Sequence, residues 1–384
     1  MKKYKSNPIL RFVRIMVPVF FIGLFFLFGA NLIQKDQSFS EQENRMLATR
    51  PALSLDKLED GRFSTEYETY VNDQFVFRNF WVRLKSQIDV WLGKRESNGV
   101  YLGKDDYLIQ QFTKPDEENL DQTIEELQRF SRRYPELKQY ALIAPTAENI
   151  YQDKLPNNAP VIDQNPYLDQ LKGALSTSSI QTIDIRDAFL TSTEDLYYHT
   201  DHHWTTDGAY VAFQAAAPTM GIDTSSMTYT QSVVSNDFQG TLSSTSGFLP
   251  DKRDKIEVYQ PSTQPTYVVN YVEEEEKTAS IYDAEKLKTK DAYAVFLGGN
   301  HSVVDIQTTV RNGRKLLVLK DSYANSFVPF LLPYYEEIVM VDPRYYYDTM
   351  DDIVSLYEIN EVLFLYNANT FFQDASLKLV LNPQ

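Results

Sequence analysis

Nineteen consecutive residues from Ile15 to Ile33, IMVPVFFIGLFFLFGANLI, carry no charge. That is close to the ~20 residues a helix needs to cross a bilayer, and Pro18 and Gly23 are tolerated in such helices. Every charge before the run is basic: Lys2, Lys3, Lys5, Arg11 and Arg14. The positive-inside rule therefore keeps the N-terminus in the cytoplasm and places the rest of the chain outside. A cleaved signal peptide is the competing reading. Its apolar core is usually ~7–15 residues, shorter than this one, and no clean small-x-small cleavage site comes after the run. The expectation is a cytoplasmic tail and transmembrane anchor over residues 1–35, a single pass in the cytoplasmic membrane, and an extracytoplasmic body.

Charge and cysteine usage narrow that body further. The 384 residues hold 53 acids against 37 Lys and Arg, a net charge of -16, so the clustered cations that neutralise phosphates are missing and no nucleic-acid partner is expected. There is no cysteine, which excludes disulfides, thiolate metal sites, a cysteine nucleophile and a lipidated anchor. Residues 36–98 read as a juxtamembrane linker followed by two amphipathic helices, with Tyr67, Tyr70, Trp81, Leu84, Ile88 and Trp91 near helical period and a break around Asn72-Asp73. Those aromatics are expected to pack onto the main domain.

The main domain, 99–384, opens with a hairpin pattern (99–109). A helix (116–134), an apolar strand (139–145), a helix (165–176) and a strand (181–186) come next. Thr, Ser and Tyr dominate about 225–300, read as a β-rich insertion in which the glutamates 273–276 form a solvated face or turn. Strand–helix rhythm then returns: strand 314–320, helix 324–332, strand 337–342, helix 348–357 and strand 361–367. Such alternation predicts an α/β fold with a mostly parallel sheet.

Three of the four histidines fall in YYHTDHHWTTDGAY (197–210). In an extended segment, alternation puts Asp201 and His203 on one side and His202 on the other. A carboxylate two residues before a histidine can accept from its Nδ1–H, fix the tautomer and stabilise the imidazolium. A metal centre is the rival reading, because HTDHH packs three imidazoles and a carboxylate into five residues; yet adjacent His202 and His203 are expected to point apart, and no cofactor is called for. His199 reads as a surface or core histidine. A base of this kind needs a nucleophile, and RKLLVLKDSYANSFVPFLL (314–332) offers Ser322 where an apolar strand meets a helix, at the sheet edge where open α/β folds place their sites. Its N–H would face an oxyanion; a plain helix cap is the alternative. FLGGNHS (296–302) is a Gly-Gly turn allowing close backbone approach. Asn367, past a buried strand, is a candidate oxyanion donor, and Arg344 a candidate to hold site acids or substrate.

TDHHWTTDGAY and LKDSYANSF, together with SEQENRMLATRP (40–51), NDQFVFR (72–78) and NGVYLGKDDYL (98–108), resemble the DHHW family of bacterial surface proteins, named for the tetrad found here as Asp201–Trp204. The chain is also similar, more distantly, to the SGNH-like proteins that O-acetylate alginate in the periplasm. The resemblance implies an SGNH-like three-layer fold with permuted motif order, and a triad of Ser322, His203 and Asp201. His202 and Trp204 are further candidates for oxyanion or substrate contact, with structural packing as the alternative for His202. It further implies serine acyl transfer to or from a surface polysaccharide, as O-acetyltransferase or esterase, with a membrane-bound O-acyltransferase as acyl donor. The alternative is a polysaccharide-binding or scaffold component in which these residues serve packing.

Overall fold

The uncharged run lies inside one helix, α1 (Pro8–Ile33), long and apolar enough to cross a membrane and with its side chains exposed. The computed structural model describes residues 8–40, 45–248 and 250–382. The expected basic tail before Pro8, and residues 41–44 of the SEQENRMLATRP signature, lie outside the described residues. The chain divides into two units, Met1–Leu92 and Gly93–Gln384.

In the first unit, α1 is joined by helices α2 (Arg62–Gln74) and α3 (Arg78–Trp91). The break between them falls at Phe75–Phe77 rather than Asn72-Asp73, because Asp73 and Gln74 are buried clamps at the end of α2. Asp73 Oδ2 accepts from Ala48 N at 2.8 Å. Gln74 takes Gln37 N on its carbonyl and donates to Gln37 O and Ala48 O. The NDQFVFR signature thus fastens the linker that leaves α1. Within this unit Phe80, Trp81 and Trp91 are exposed, while Tyr70 is half-buried.

The second unit begins with a hairpin of β1 (Val100–Leu102) and β2 (Leu108–Gln110). Then come α4 (Glu117–Arg133), β3 (Lys138–Ala144), α5 (Asn165–Leu175) and β4 (Ile180–Thr182). Helix α6 (Thr206–Ala216) succeeds the histidine segment. The Thr/Ser/Tyr-rich stretch holds β5 (Tyr229–Phe238), α7 (Thr241–Ser246), β6 (Asp254–Pro261), β7 (Tyr267–Tyr271) and β8 (Glu276–Thr278). The chain then runs through β9 (Val303–Thr308), β10 (Lys315–Lys320), α8 (Tyr323–Phe327), β11 (Glu337–Val341), α9 (Met350–Leu356) and β12 (Glu361–Asn367).

One sheet of eight strands, ordered β8-β7-β9-β11-β10-β12-β3-β4, carries the unit. From β11 to β4 neighbouring strands are parallel; β9, β7 and β8 extend it antiparallel. Within the Thr/Ser/Tyr-rich stretch, β5 and β6 form a ribbon separate from this sheet while β7 and β8 join it, so the stretch is half insertion and half sheet edge. The glutamate run is the β7–β8 turn, with Glu275 at φ +54. Side-chain alternation sorts the central strands onto two faces. Leu316, Val318, Leu363 and Leu365 join a core with α6 and α8, while Leu317, Leu319, Val362 and Phe364 join one with α4, α5 and α9. The result is the expected three-layer α/β/α sandwich. The helix expected over 324–332 ends early, at Phe327, and continues as 3-10 turns. Pro329 has no N–H to continue an α-helix.

Glu148, in the turn of helix after β3, is buried. One oxygen accepts from Phe112 N at 2.7 Å and the other has no protein partner. Burial pushes its carboxyl up to about 7, against partial opposition from the Phe112 bond. A carboxyl raised on folding stabilises fully below its unfolded value of 4.5 and loses that contribution as pH rises through about 7. The wild-type thermal midpoint is therefore expected to fall between pH 5 and 8 relative to Glu148→Gln, which keeps an acceptor for Phe112 N; parallel curves would refute this.

Candidate active site

Ser322 sits at the carboxyl end of β10, in the middle of the parallel strands, after Asp321 and before α8. Asp321 is buried and fixes this turn. Its Oδ1 accepts from Tyr323 N at 2.9 Å, and its Oδ2 accepts from Asn367 N at 2.9 Å and Asn367 Nδ2 at 2.6 Å. Burial raises the Asp321 carboxyl, partly offset by the Asn367 N–H. Asn367 gives its other amide hydrogen to Thr370 Oγ1. Both of its donors are committed, so Asn367 positions the residue before Ser322 and is not the oxyanion donor expected from sequence. Arg344 grips Asp342 with two nitrogens, at 2.8 and 2.6 Å. Lys320, buried beside them, donates to Asn300 and Asn325 and lies 3.4 Å from Asp342 Oδ2. Asn325 Nδ2 in turn reaches Gly299 O, the close backbone approach that the Gly-Gly turn permits at φ +72 and +120.

The histidine segment arrives from the other side. It is a series of bends, pinned by one isolated bridge between Tyr197 and Trp204. His203 Nε2 lies 2.7 Å from Ser322 Oγ, and His203 Nδ1 lies 2.5 Å from Asp201 Oδ1. All three side chains are buried. With Nδ1–H donating to the carboxylate, Nε2 presents its lone pair to the serine hydroxyl. Burial alone raises the Asp201 carboxyl, but the His203 and His202 imidazoles and the bond from Thr241 N outweigh it and hold it well below the usual carboxylate range. Tyr293 stacks on the His203 ring at 3.7 Å and 11° and donates to Ser322 O at 3.1 Å.

The other two histidines of the segment take different places. His202 does not point away: its ring centre lies 3.9 Å from that of His203, because the segment bends instead of running extended. Thr241 Oγ1 donates to Asp201 Oδ2 at 3.0 Å and stands 3.0 Å from His202 Nδ1, which therefore donates to it. Burial, reinforced by His203, lowers His202 to about 4 and keeps it neutral at ordinary pH. His199 is a core residue, stacked on Tyr107 with Nδ1 3.1 Å from Asp254 Oδ1. Asp201, His202 and His203 place their ligand atoms within 4.8 Å of one another. Both nitrogens of His203 already face partners, an arrangement suited to proton relay.

Trp204 is not beside an open substrate site. It is fully buried, and its Nε1–H is shared between Tyr323 O at 3.0 Å and Ser326 Oγ at 2.9 Å. It therefore locks the histidine segment to α8. Trp204→Phe removes that donor at both acceptors and is expected to cost roughly 1–3 kcal/mol in denaturant unfolding; a stability unchanged from wild type would contradict this role.

Sequence reasoning missed two contributors. Gly240 and Thr241 lead into α7, and Thr241 N donates to Asp201 Oδ2 at 2.7 Å. A Cβ on Gly240 would lie 2.2 Å from the Cβ of Asp201. Asp254 accepts from His199 N, Thr200 N and Thr200 Oγ1, fixing the backbone that precedes Asp201. Both lie some forty to fifty residues along the chain, and a lone Gly-Thr or Asp carries no sequence signal of such contacts.

A mostly parallel sheet between helical layers, with Ser, His and Asp gathered at the carboxyl edge of its parallel strands, defines an SGNH-like α/β domain. The chain belongs to the ALGX family, described as the SGNH hydrolase-like domain of the acetyltransferase AlgX, whose model matches residues 100–304, more than half its length. That match includes Asp201–Trp204 and stops short of Ser322, which the fold alone brings in. Among solved structures, a DHHW family protein from Eubacterium siraeum is 24% identical, with a TM-score of 0.63 over 75% of this chain and 97% of its own. Bacillus cereus PatB1, solved with a sulfonyl adduct, is 21% identical with a TM-score of 0.58, covering 73% and 97% respectively. These two share the fold. No curated protein matches the sequence.

Proposed function

We propose that the protein is a membrane-anchored, extracytoplasmic serine acyl-transfer enzyme that O-acetylates a cell-surface polysaccharide. The observation that carries this reading is the continuous line Asp201–His203–Ser322, with contacts of 2.5 and 2.7 Å. His203 takes the proton from Ser322 Oγ as the oxygen attacks the acyl carbonyl, and Asp201, kept ionised, stabilises the imidazolium. The Ser322 N–H at the start of α8 offers a donor to the oxyanion. The leaving group departs with the proton from His203, and an acetyl-serine remains. A sugar hydroxyl then enters, gives its proton to His203 and takes the acetyl group, while His203 returns that proton to the departing Ser322 Oγ; water in its place makes the reaction a hydrolysis. The family's acetyltransferase description supports the acyl group. Helix α1 supports the anchor, and a membrane-bound O-acyltransferase would supply the acetyl donor from the same bilayer.

The test is full-length protein in detergent with a fluorogenic acetyl ester, with and without envelope polysaccharide. Release of the fluorophore accompanied by acetylated polysaccharide in the mass spectrum is expected. Turnover no faster than in buffer, with no acetylated product, would sink the proposal.

A further inference from the structure

Helix α3 is amphipathic the wrong way round for a core helix. It buries Ser86 and turns Phe80, Trp81, Leu84, Ile88 and Trp91 outward, with Trp91 85% exposed. Those residues recur at steps of three and four and so form one stripe. An apolar stripe left in water along a whole helix marks an interaction surface.

Two observations say what covers it. The start of α3 is tied to the end of α1: Val76 N donates to Asn31 Oδ1 at 2.9 Å, and Gln34 Nε2 reaches Gln74 O at 3.4 Å. The stripe therefore begins level with the end of the apolar helix. Its charge is also opposite to that of the chain. Helix α3 carries Arg78, Arg83 and Lys85 against Asp89 alone, in a chain of net charge -16. Tryptophans beside an apolar stripe with flanking cations suit the headgroup level of an anionic bilayer.

We propose that α3 lies in the outer interface of the membrane that takes α1, its Trp81–Trp91 face in the acyl boundary and its cations on anionic headgroups. This rests on reading α1 as an anchor. It adds a second membrane attachment, which restrains the segment leading into the acyl-transfer domain.

The chain's own tryptophans report on the idea, since the third, Trp204, is fully buried in the core. Full-length protein is placed one copy per nanodisc in anionic lipid carrying bromine on the acyl chains. Emission is expected to drop by roughly two thirds, the share of Trp81 and Trp91 among the three indoles, and hardly at all in Trp81→Phe/Trp91→Phe. Phe21→Trp in that double variant reports on α1 separately. If this indole is quenched while Trp81 and Trp91 are not, the anchor stands and the proposal falls. If it is not quenched, the anchor reading fails and takes the proposal with it. Unquenched Trp81 and Trp91 whose emission shifts to the blue only when several copies share a disc would assign the stripe to a second copy, which also overturns the proposal.

Discussion

Ser322→Ala is expected to lower acetyl-ester turnover by ~10³-fold or more while leaving the thermal midpoint close to wild type. The hydroxyl is the atom 2.7 Å from His203 Nε2, and its loss removes the nucleophile without opening a large cavity. His203→Ala should lose a comparable factor, and the double variant no more than either single change, because the two groups act as one unit. The rates of each single variant, the rate of the pair and the unfolding curves decide the matter. Equal turnover in wild type and Ser322→Ala would remove the serine from the chemistry.

Gly240→Ala carries the second large effect. The added methyl would stand 2.2 Å from the Asp201 Cβ and 2.3 Å from its Oδ2, with no room on that side. Either the carboxylate or the turn into α7 must shift, and with it the bonds from Thr241 N and Oγ1 that hold Asp201. Misplacing a catalytic group by about 1 Å costs on the order of 10²-fold in rate. The loss should fall on kcat more than KM, since Gly240 acts on the Asp201–His203 pair. Thr241→Val keeps the backbone donor and removes only the hydroxyl, so its loss should be about 10-fold or less. Wild-type kcat in Gly240→Ala would show that the pair is not held from this side.

Much of this arrangement is legible in the sequence because it depends on local pattern. Asp201 and His203 are two residues apart, and Ser322 comes just past a strand whose LLVL run (316–319) suits the buried middle of a parallel sheet. The roles that failed depended on partners far along the chain. Asn367 faces Asp321, forty-six residues away, and that contact consumes its amide. Trp204 meets Ser326, so an indole offered as a substrate contact becomes a core pin. His202 joins His203 because the segment bends, and bends carry no periodicity to read. The outward face of α3 has the same helical spacing as an inward one, so period alone could not say which way it turns.

The most direct measurement is intact-mass and peptide mapping of the full-length protein after a sulfonyl fluoride. A single adduct on Ser322 is expected, formed far more slowly in His203→Ala. An unmodified Ser322, modification at another residue, or equal labelling without the imidazole would contradict the triad.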